Sequence, residues 1–266
     1  MRKLFVAGGL ALATLAVGAT ALAEGDTPPL KKVDWSFDGP FGTYDRAAAQ
    51  RGFQVYKEVC SACHGLSLVA YRNLQELGLS ENAVKGIAAD VQIKDIGEDG
   101  SDIDRPGKPS DRFRKPFPNE AAARAANNGA YPPDLSLITK AREGHEDYVY
   151  SLLQGFDDVA KLADADKKAL GLAKDFKVSE GMFFNRYYPG HQIKMQPPLA
   201  EDRVSYTDGT KASVEQMSRD VTTFLAWAAE PRMEDRKRTG IRVLIFLIVL
   251  AGIMYVIKER VWANAH

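Results

Sequence analysis

The chain has 266 residues, 45% hydrophobic and 26% charged, with 35 basic residues against 35 acidic ones. That length suits one sizeable domain, no internal repeat is visible, and the even charge gives no sign of a nucleic-acid partner. Only two cysteines are present, too few for a structural zinc site built on paired cysteines.

Residues 1–23 open with Arg2 and Lys3, run through an apolar stretch from Leu4 to about Ala19, and close on Ala21-Leu22-Ala23. This is the n-region, h-region and A-x-A pattern of a cleaved secretory signal. A retained membrane helix is the weaker reading, because Ala and Gly dilute the apolar run. The chain then divides into an exported domain at 24–239, an anchor at 240–258 and a short cytoplasmic tail at 259–266.

Tyr44 to Val59 reads as a helix with Ala49, Phe53, Tyr56 and Cys60 on one face. It leads into Cys60-Ser61-Ala62-Cys63-His64. C-x-x-C-H is the attachment signature of a c-type haem. Two thiols at this spacing can add across two vinyl groups on one porphyrin edge, and the next histidine can reach the iron. A thioredoxin-like redox pair is the competing reading, but the following His is foreign to it and no βαβ pattern surrounds the motif.

The stretch from about 80 to 135 reads as loop, with no alternating strand pattern. Its run Glu98-Asp99-Gly100-Ser101-Asp102-Ile103-Asp104 is either a solvated loop or a docking surface for a basic partner. A helical piece follows near Leu137–Gln154. Ser213 to Ala229 is the clearest soluble helix. Ser213 and Gln216 make a capping-box pattern, Pro231 ends it, and Val214, Met217, Val221, Phe224, Leu225 and Ala228 form its apolar face. Similarity to c-type cytochromes, in which an N-terminal helix crosses a C-terminal one at Gly and aromatic residues, implies a contact of Gly52 and Phe53 with Phe224 or Trp227.

Ile241 to Ile257 is almost wholly apolar. Its 17 residues reach roughly 26 Å, just enough for a bilayer core. Arg242 can snorkel to the headgroups, and Lys258, Arg260 and Trp262 follow as interfacial residues. A buried core helix fits poorly, because the run is apolar on every face. The signal sets the orientation, with the large N-terminal part exported. Residues 24–231 hold 26 basic and 32 acidic residues, a net of −6; such a domain would steer a basic partner.

A haem iron bound by His64 needs a second axial ligand, for which Met182, Met195, Met217, Met233, His145 and His191 are available. Met217 lies on an apolar helix face and Met233 in the charged collar before the anchor. The two histidines read as loop or surface residues. Met182 sits in a Phe/Tyr-rich segment and stays open. Met195 precedes Gln196-Pro197-Pro198, and two prolines fix an extended loop that can present a thioether at a set place.

Several longer segments carry a specific resemblance. They are Arg51-Gly52-Phe53-Gln54-Val55-Tyr56 running into the C-x-x-C-H motif, Arg105-Pro106-Gly107-Lys108, and Glu120 through Ala130 with its Ala-Asn-Asn-Gly. Pro132-Pro133-Asp134-Leu135-Ser136, Met195-Gln196-Pro197-Pro198 and Trp227-Ala228-Ala229-Glu230-Pro231 before the anchor complete the set. On these residues the chain resembles the cytochrome c1 family, the haem subunits of the ubiquinol–cytochrome c reductase (cytochrome bc1) complex. It is closer to the short-loop, mitochondrial-like members; no cysteine is left for the extra disulfide of some bacterial ones.

The resemblance implies a mainly α, c-type cytochrome fold with long loop insertions and one C-terminal transmembrane helix. It implies one covalent haem c on Cys60 and Cys63, with His64 and Met195 as axial iron ligands. Arg142 and Tyr148 match residues that contact the haem propionates, and Asn127 and Pro133 match residues that line the pocket. The implied partners are cytochrome b, the Rieske iron–sulfur protein, a cytochrome c acceptor with a basic surface, and membrane lipid. The implied role is one-electron transfer with no bond chemistry of its own. The implied place is the bacterial cytoplasmic membrane, with the haem domain on the periplasmic side. A different anchored cytochrome, or a haem enzyme with an open sixth position, would share the signal, the motif and the anchor but not these longer segments.

Overall fold

The structure is a computed structural model and describes residues 27–263; the signal at 1–23 and the last residues of the tail lie outside the described residues. Helix α1 spans Arg46–Glu58, started by the Asp45 side chain, which accepts from Ala48 N at 3.0 Å. A single 3-10 turn, Cys60–Ala62, follows directly. A 3-10 helix over Tyr71–Leu77 ends on Gly78 in the left-handed region, and α2 covers Glu81–Ala89 under a Ser80 cap.

Strands β1 (Gln92–Ile96) and β2 (Asp102–Pro106) then pair antiparallel, with Lys94 opposite Asp104 and Asp95 opposite Ile103. This hairpin corrects the loop expected here. Nearly every one of its residues is exposed, so neither face carries the apolar alternation that marks a half-buried strand. It is held by charge and turn chemistry: Arg105 bonds Asp95 at 2.5 Å and Asp111 at 2.6 Å, and Asp99 Oδ1 accepts from Ser101 N at 3.0 Å. The acidic run therefore divides into a turn at 98–101 and the start of β2.

Helix α3 is Glu120–Ala126 and α4 is His145–Leu153. The residues just before α4 are turns, because Gly144 at φ +82° and His145 at φ +51° break any earlier helix; the expected start near Leu137 is thus too early. Helix α5 (Asp164–Ala169) and a two-residue pairing of β3 (Phe183–Phe184) with β4 (Gln192–Ile193) precede α6 (Val214–Ala229) and α7 (Met233–Trp262).

The core forms where α1 crosses α6. A Cβ on Gly52 would run into the Asp220 carbonyl and come within 2.8 Å of Phe224 Cβ, so only glycine allows the approach. Around this point Phe53 and Tyr56 meet Phe224 at ring separations of 5.6 and 5.7 Å, and Phe224 meets Trp227 at 5.7 Å. The Asp220 carboxylate is wholly buried, yet it takes two bonds from Arg51, at 2.9 and 3.0 Å, and one from Gln216 at 3.0 Å. A buried charge needs such pairing. Gln216 is thus spent on Asp220, while Ser213 caps the helix by accepting from Gln216 N at 3.1 Å.

Helix α7 begins earlier than the apolar run suggests. Its first turns are the charged collar, and they grip the domain: Glu234 accepts from Arg46 at 2.8 and 2.9 Å and from Tyr44 N at 2.9 Å, while Met233 is buried. Beyond Ile241 every described residue of the helix is exposed, including Phe246 and Ile248. Thirty residues reach about 45 Å, enough to cross a bilayer from the collar outward.

Gly52→Ala is expected to destabilise the domain by roughly 1–3 kcal/mol through overpacking. Gly86→Ala in α2, where a Cβ meets open space, should instead stabilise it by about 0.5–1 kcal/mol. Denaturant unfolding of the two variants in detergent reads both signs.

Candidate haem site

The 3-10 turn after α1 gathers the motif. Cys63 N and His64 N both donate to Cys60 O, at 3.1 and 2.9 Å. The Tyr56 hydroxyl, buried in the core, donates to His64 O at 3.0 Å. Both cysteines are free and half-buried. Burial, with a smaller contribution from Cys63, pushes the Cys60 thiol up to about 12. That is the opposite of a catalytic dithiol, whose attacking thiol is activated by a lowered value.

His64 Nδ1 lies 2.8 Å from the Pro133 carbonyl oxygen. A carbonyl only accepts, so Nδ1 carries the proton and Nε2 keeps its lone pair. Burial holds the imidazole below its ordinary value, with the Pro133 bond and the Asp134 charge acting the other way. Both effects are those of a metal-ready histidine: neutral, in one tautomer, with its ring oriented by a backbone acceptor.

The same stretch is stitched to the chain leaving the motif. Leu135 N donates to Gly65 O at 2.8 Å, and Leu68 N donates to Ser136 Oγ at 3.1 Å. Asp134 accepts from Ser67 N at 2.8 Å and from Ser136 N at 2.9 Å. Burial raises the Asp134 carboxyl, but hydrogen bonds from Ser136 and Ser67 outweigh it and leave the group below the usual range. Pro132 and Pro133 fix φ along this segment, which keeps the Pro133 carbonyl aimed at the ring.

The remaining expected residues fall into two groups. Tyr148 is half-buried in α4; burial raises its phenol, and Arg142 opposes this through its charge and a side-chain hydrogen bond. Arg142 and Tyr148 are therefore hydrogen-bonded neighbours. Asn127 ends α3, its amide donating to Ala123 O at 2.7 Å. Its neighbour Asn128 takes Lys194 Nζ on its carbonyl at 2.9 Å. Met195, half-buried, occupies the bend just after β4. The segment 127–136 therefore touches both His64, through Pro133, and the residue beside Met195, through Asn128.

Other candidate ligands are engaged elsewhere. Met217 and Met233 are buried in packing. His145 Nδ1 pairs with Thr139 O at 3.1 Å, and buried His191 stacks on Phe184 at 5.9 Å with Nδ1 3.4 Å from Asn185 O. Met182, like Met195, is half-buried in a turn.

The family model described as the Cytochrome C1 family matches residues 35–265. The chain belongs to the cytochrome c1 family. It is 45% identical over 270 residues to the cytochrome c1 of Rhodospirillum rubrum, covering 99% of this chain and 97% of that one. It is 48% identical over 285 residues to the cytochrome b/c1 of Bradyrhizobium diazoefficiens, covering 99% of this chain but only 39% of that longer protein. It is 45% identical over 231 residues to the mitochondrial cytochrome c1 heme protein of Saccharomyces cerevisiae, covering 86% and 71%.

A c-type haem is what membership of the cytochrome c1 family implies, and the donor set fits one: two free thiols on one turn beside a neutral, oriented imidazole. One feature escaped the sequence, the tether between Pro133 and His64; the Pro-Pro-Asp-Leu-Ser motif was visible, but its target lies 69 residues away. Asp134→Ala leaves the Ser67 and Ser136 amides without their partner and is expected to cost about 1–3 kcal/mol. Denaturant midpoints compared with a variant at exposed Asp90 test this.

Proposed function

We propose that this chain is the membrane-anchored haem subunit of a cytochrome bc1 complex. It accepts one electron from the Rieske iron–sulfur protein and passes it to a cytochrome c. The observation that carries the reading is the Pro133-oriented His64 on the same turn as Cys60 and Cys63, in a cytochrome c1 family chain that ends in a long apolar helix.

One haem c is held through Cys60 and Cys63, with His64 and Met195 on its iron. Bound there, it supplies a one-electron iron couple whose potential His/Met ligation and burial raise. The chain's own residues do the holding. The Pro133 carbonyl keeps the His64 proton on Nδ1, so Nε2 is the donor. The prolines after Met195 fix its loop, and the contact between Lys194 and Asn128 ties that loop to the segment holding His64. Arg142, always charged and able to fork onto a carboxylate, serves the propionates together with Tyr148. Asn127 and Pro133 line the pocket. The chain makes and breaks no substrate bond.

Residues 1–23 are removed on export, 24–239 stand on the periplasmic side of the bacterial cytoplasmic membrane, and 240–258 span it beside cytochrome b and lipid. Residues 259–266 stay in the cytoplasm. The net charge of −6 over residues 24–231 favours a basic acceptor and steers its approach.

Met195→Leu tests the ligand assignment. The haem should remain covalently attached through denaturing electrophoresis, while its midpoint potential falls sharply in a redox titration. Met182→Leu should leave the potential unchanged. An unaltered potential in Met195→Leu, or a fall in Met182→Leu instead, removes Met195 from the iron.

A further inference from the structure

Residues 37–42 make a tight turn between the N-terminal arm and α1. Asp38 N donates to Trp35 O and Thr43 N to Ser36 O, each at 3.0 Å. Gly42 packs so closely on the backbone of Phe37 and Asp38 that no Cβ would fit, and Gly39 takes φ +67°. The turn sorts its aromatics. Phe37 is buried, stacked on Trp35 at 5.6 Å and tilted against Tyr44 at 5.1 Å. Phe41 is 79% exposed, more than any other large hydrophobic side chain among the described residues.

A lone exposed aromatic on a soluble surface calls for no explanation. The address of this one does. Lys237 of α7 donates to both ends of the turn, to Phe37 O at 2.6 Å and to Gly42 O at 3.2 Å. The fork between Arg46 and Glu234, with Glu234 also accepting from Tyr44 N, fixes the next residues of the chain to the same helix. The apolar run opens at Ile241, about 6 Å along the axis from Lys237. The headgroup layer on each side of a bilayer core is about 5–7 Å deep. A helix that spans from Ile241 therefore holds this turn at headgroup depth. The surrounding side chains suit that place: Lys237, Arg238 and Arg242 stand at this end of the helix, and long basic side chains beside an apolar run reach into the headgroup layer.

We propose that residues 37–42 form a second membrane contact, in which the Phe41 ring inserts among the lipids at the bilayer interface beside α7. The proposal rests on α7 spanning a membrane. One helix alone lets a domain tilt about its point of entry. A second contact, joined to that helix by Lys237, resists the tilt and fixes the height of the His64 site above the bilayer. Aromatic rings suit the role, because they bury apolar area at the boundary at little cost in conformational freedom.

The test is Phe41→Cys carrying a nitroxide, in the full chain reconstituted into vesicles of phosphatidylcholine and phosphatidylglycerol. Phe41 is exposed, so the change removes no core contact, and the parent chain sets the labelling background from Cys60 and Cys63. Power saturation compares relaxation by oxygen, which concentrates in lipid, with relaxation by a water-soluble nickel chelate. Ile96→Cys on the hairpin gives the aqueous reference and Ile248→Cys the lipid reference. The expected oxygen-to-nickel ratio at Phe41 is several-fold above that at Ile96 and below that at Ile248. A ratio equal to that at Ile96, with Ile248 lipid-like, puts the turn in water and overturns the proposal. A label shielded from both reagents overturns it too, since the turn is then seated on protein. An aqueous ratio at Ile248 removes the membrane reading of α7 itself, and the second contact with it.

Discussion

The hydrogen bond from His64 Nδ1 to the Pro133 carbonyl is the constraint on which the site depends. It sets the tautomer and the ring plane together, while burial keeps the imidazole neutral. It does so with a backbone acceptor that cannot change its own protonation. The rest of the local structure serves that bond. Prolines stiffen the segment carrying the carbonyl, and the Asp134 carboxylate, the Leu135–Gly65 backbone bond and the Ser136 hydroxyl fasten the segment to the residues leaving the motif. The same segment reaches Lys194 through Asn128, so one loop contacts both His64 and the neighbour of Met195.

That loop needs a rigid platform, and the crossing of α1 and α6 supplies it. Gly52 permits the close approach, the rings of Phe53, Tyr56, Phe224 and Trp227 fill it, and the buried pair of Arg51 and Asp220 fixes its register. Tyr56 joins the platform to the site through its bond to His64 O. At the other end of the domain, the first turns of α7 lock onto Tyr44 and Arg46. Helix α1 is thus held at its start by the anchor helix and passes at its end into the motif, a direct mechanical path from membrane to site.

What could be read from the sequence was what is local. The face of α1, the Ser213 cap of α6 and the C-x-x-C-H turn all follow from spacings of a few residues, whereas the crossing at Gly52 comes from the likeness to c-type cytochromes. What could not be read was set by distance or by exposure. The β1–β2 hairpin is wet on both faces and carries no period. The start of α4 is set by the left-handed backbone at Gly144 and His145, behind an apolar Leu137-Ile138 that imitates a helix. The tether between His64 and Pro133, and the grip of Arg46 on Glu234, join residues 69 and 188 positions apart. On residues alone Met182 and Met195 were equivalent thioethers, and only the proline-bearing loop and the resemblance to the cytochrome c1 family separate them.

The central claim is a covalent haem closed on both faces by protein ligands, which is what an electron carrier needs and a haem enzyme lacks. The measurement that tests it most directly is an optical spectrum of the membrane-extracted protein, reduced with ascorbate and then exposed to carbon monoxide. A c-type band that forms with this mild reductant and ignores carbon monoxide is the predicted result, for a six-coordinate iron of high potential. A band that fails to form with ascorbate, or that shifts when carbon monoxide is added, would mean a low-potential or open iron and would contradict the account.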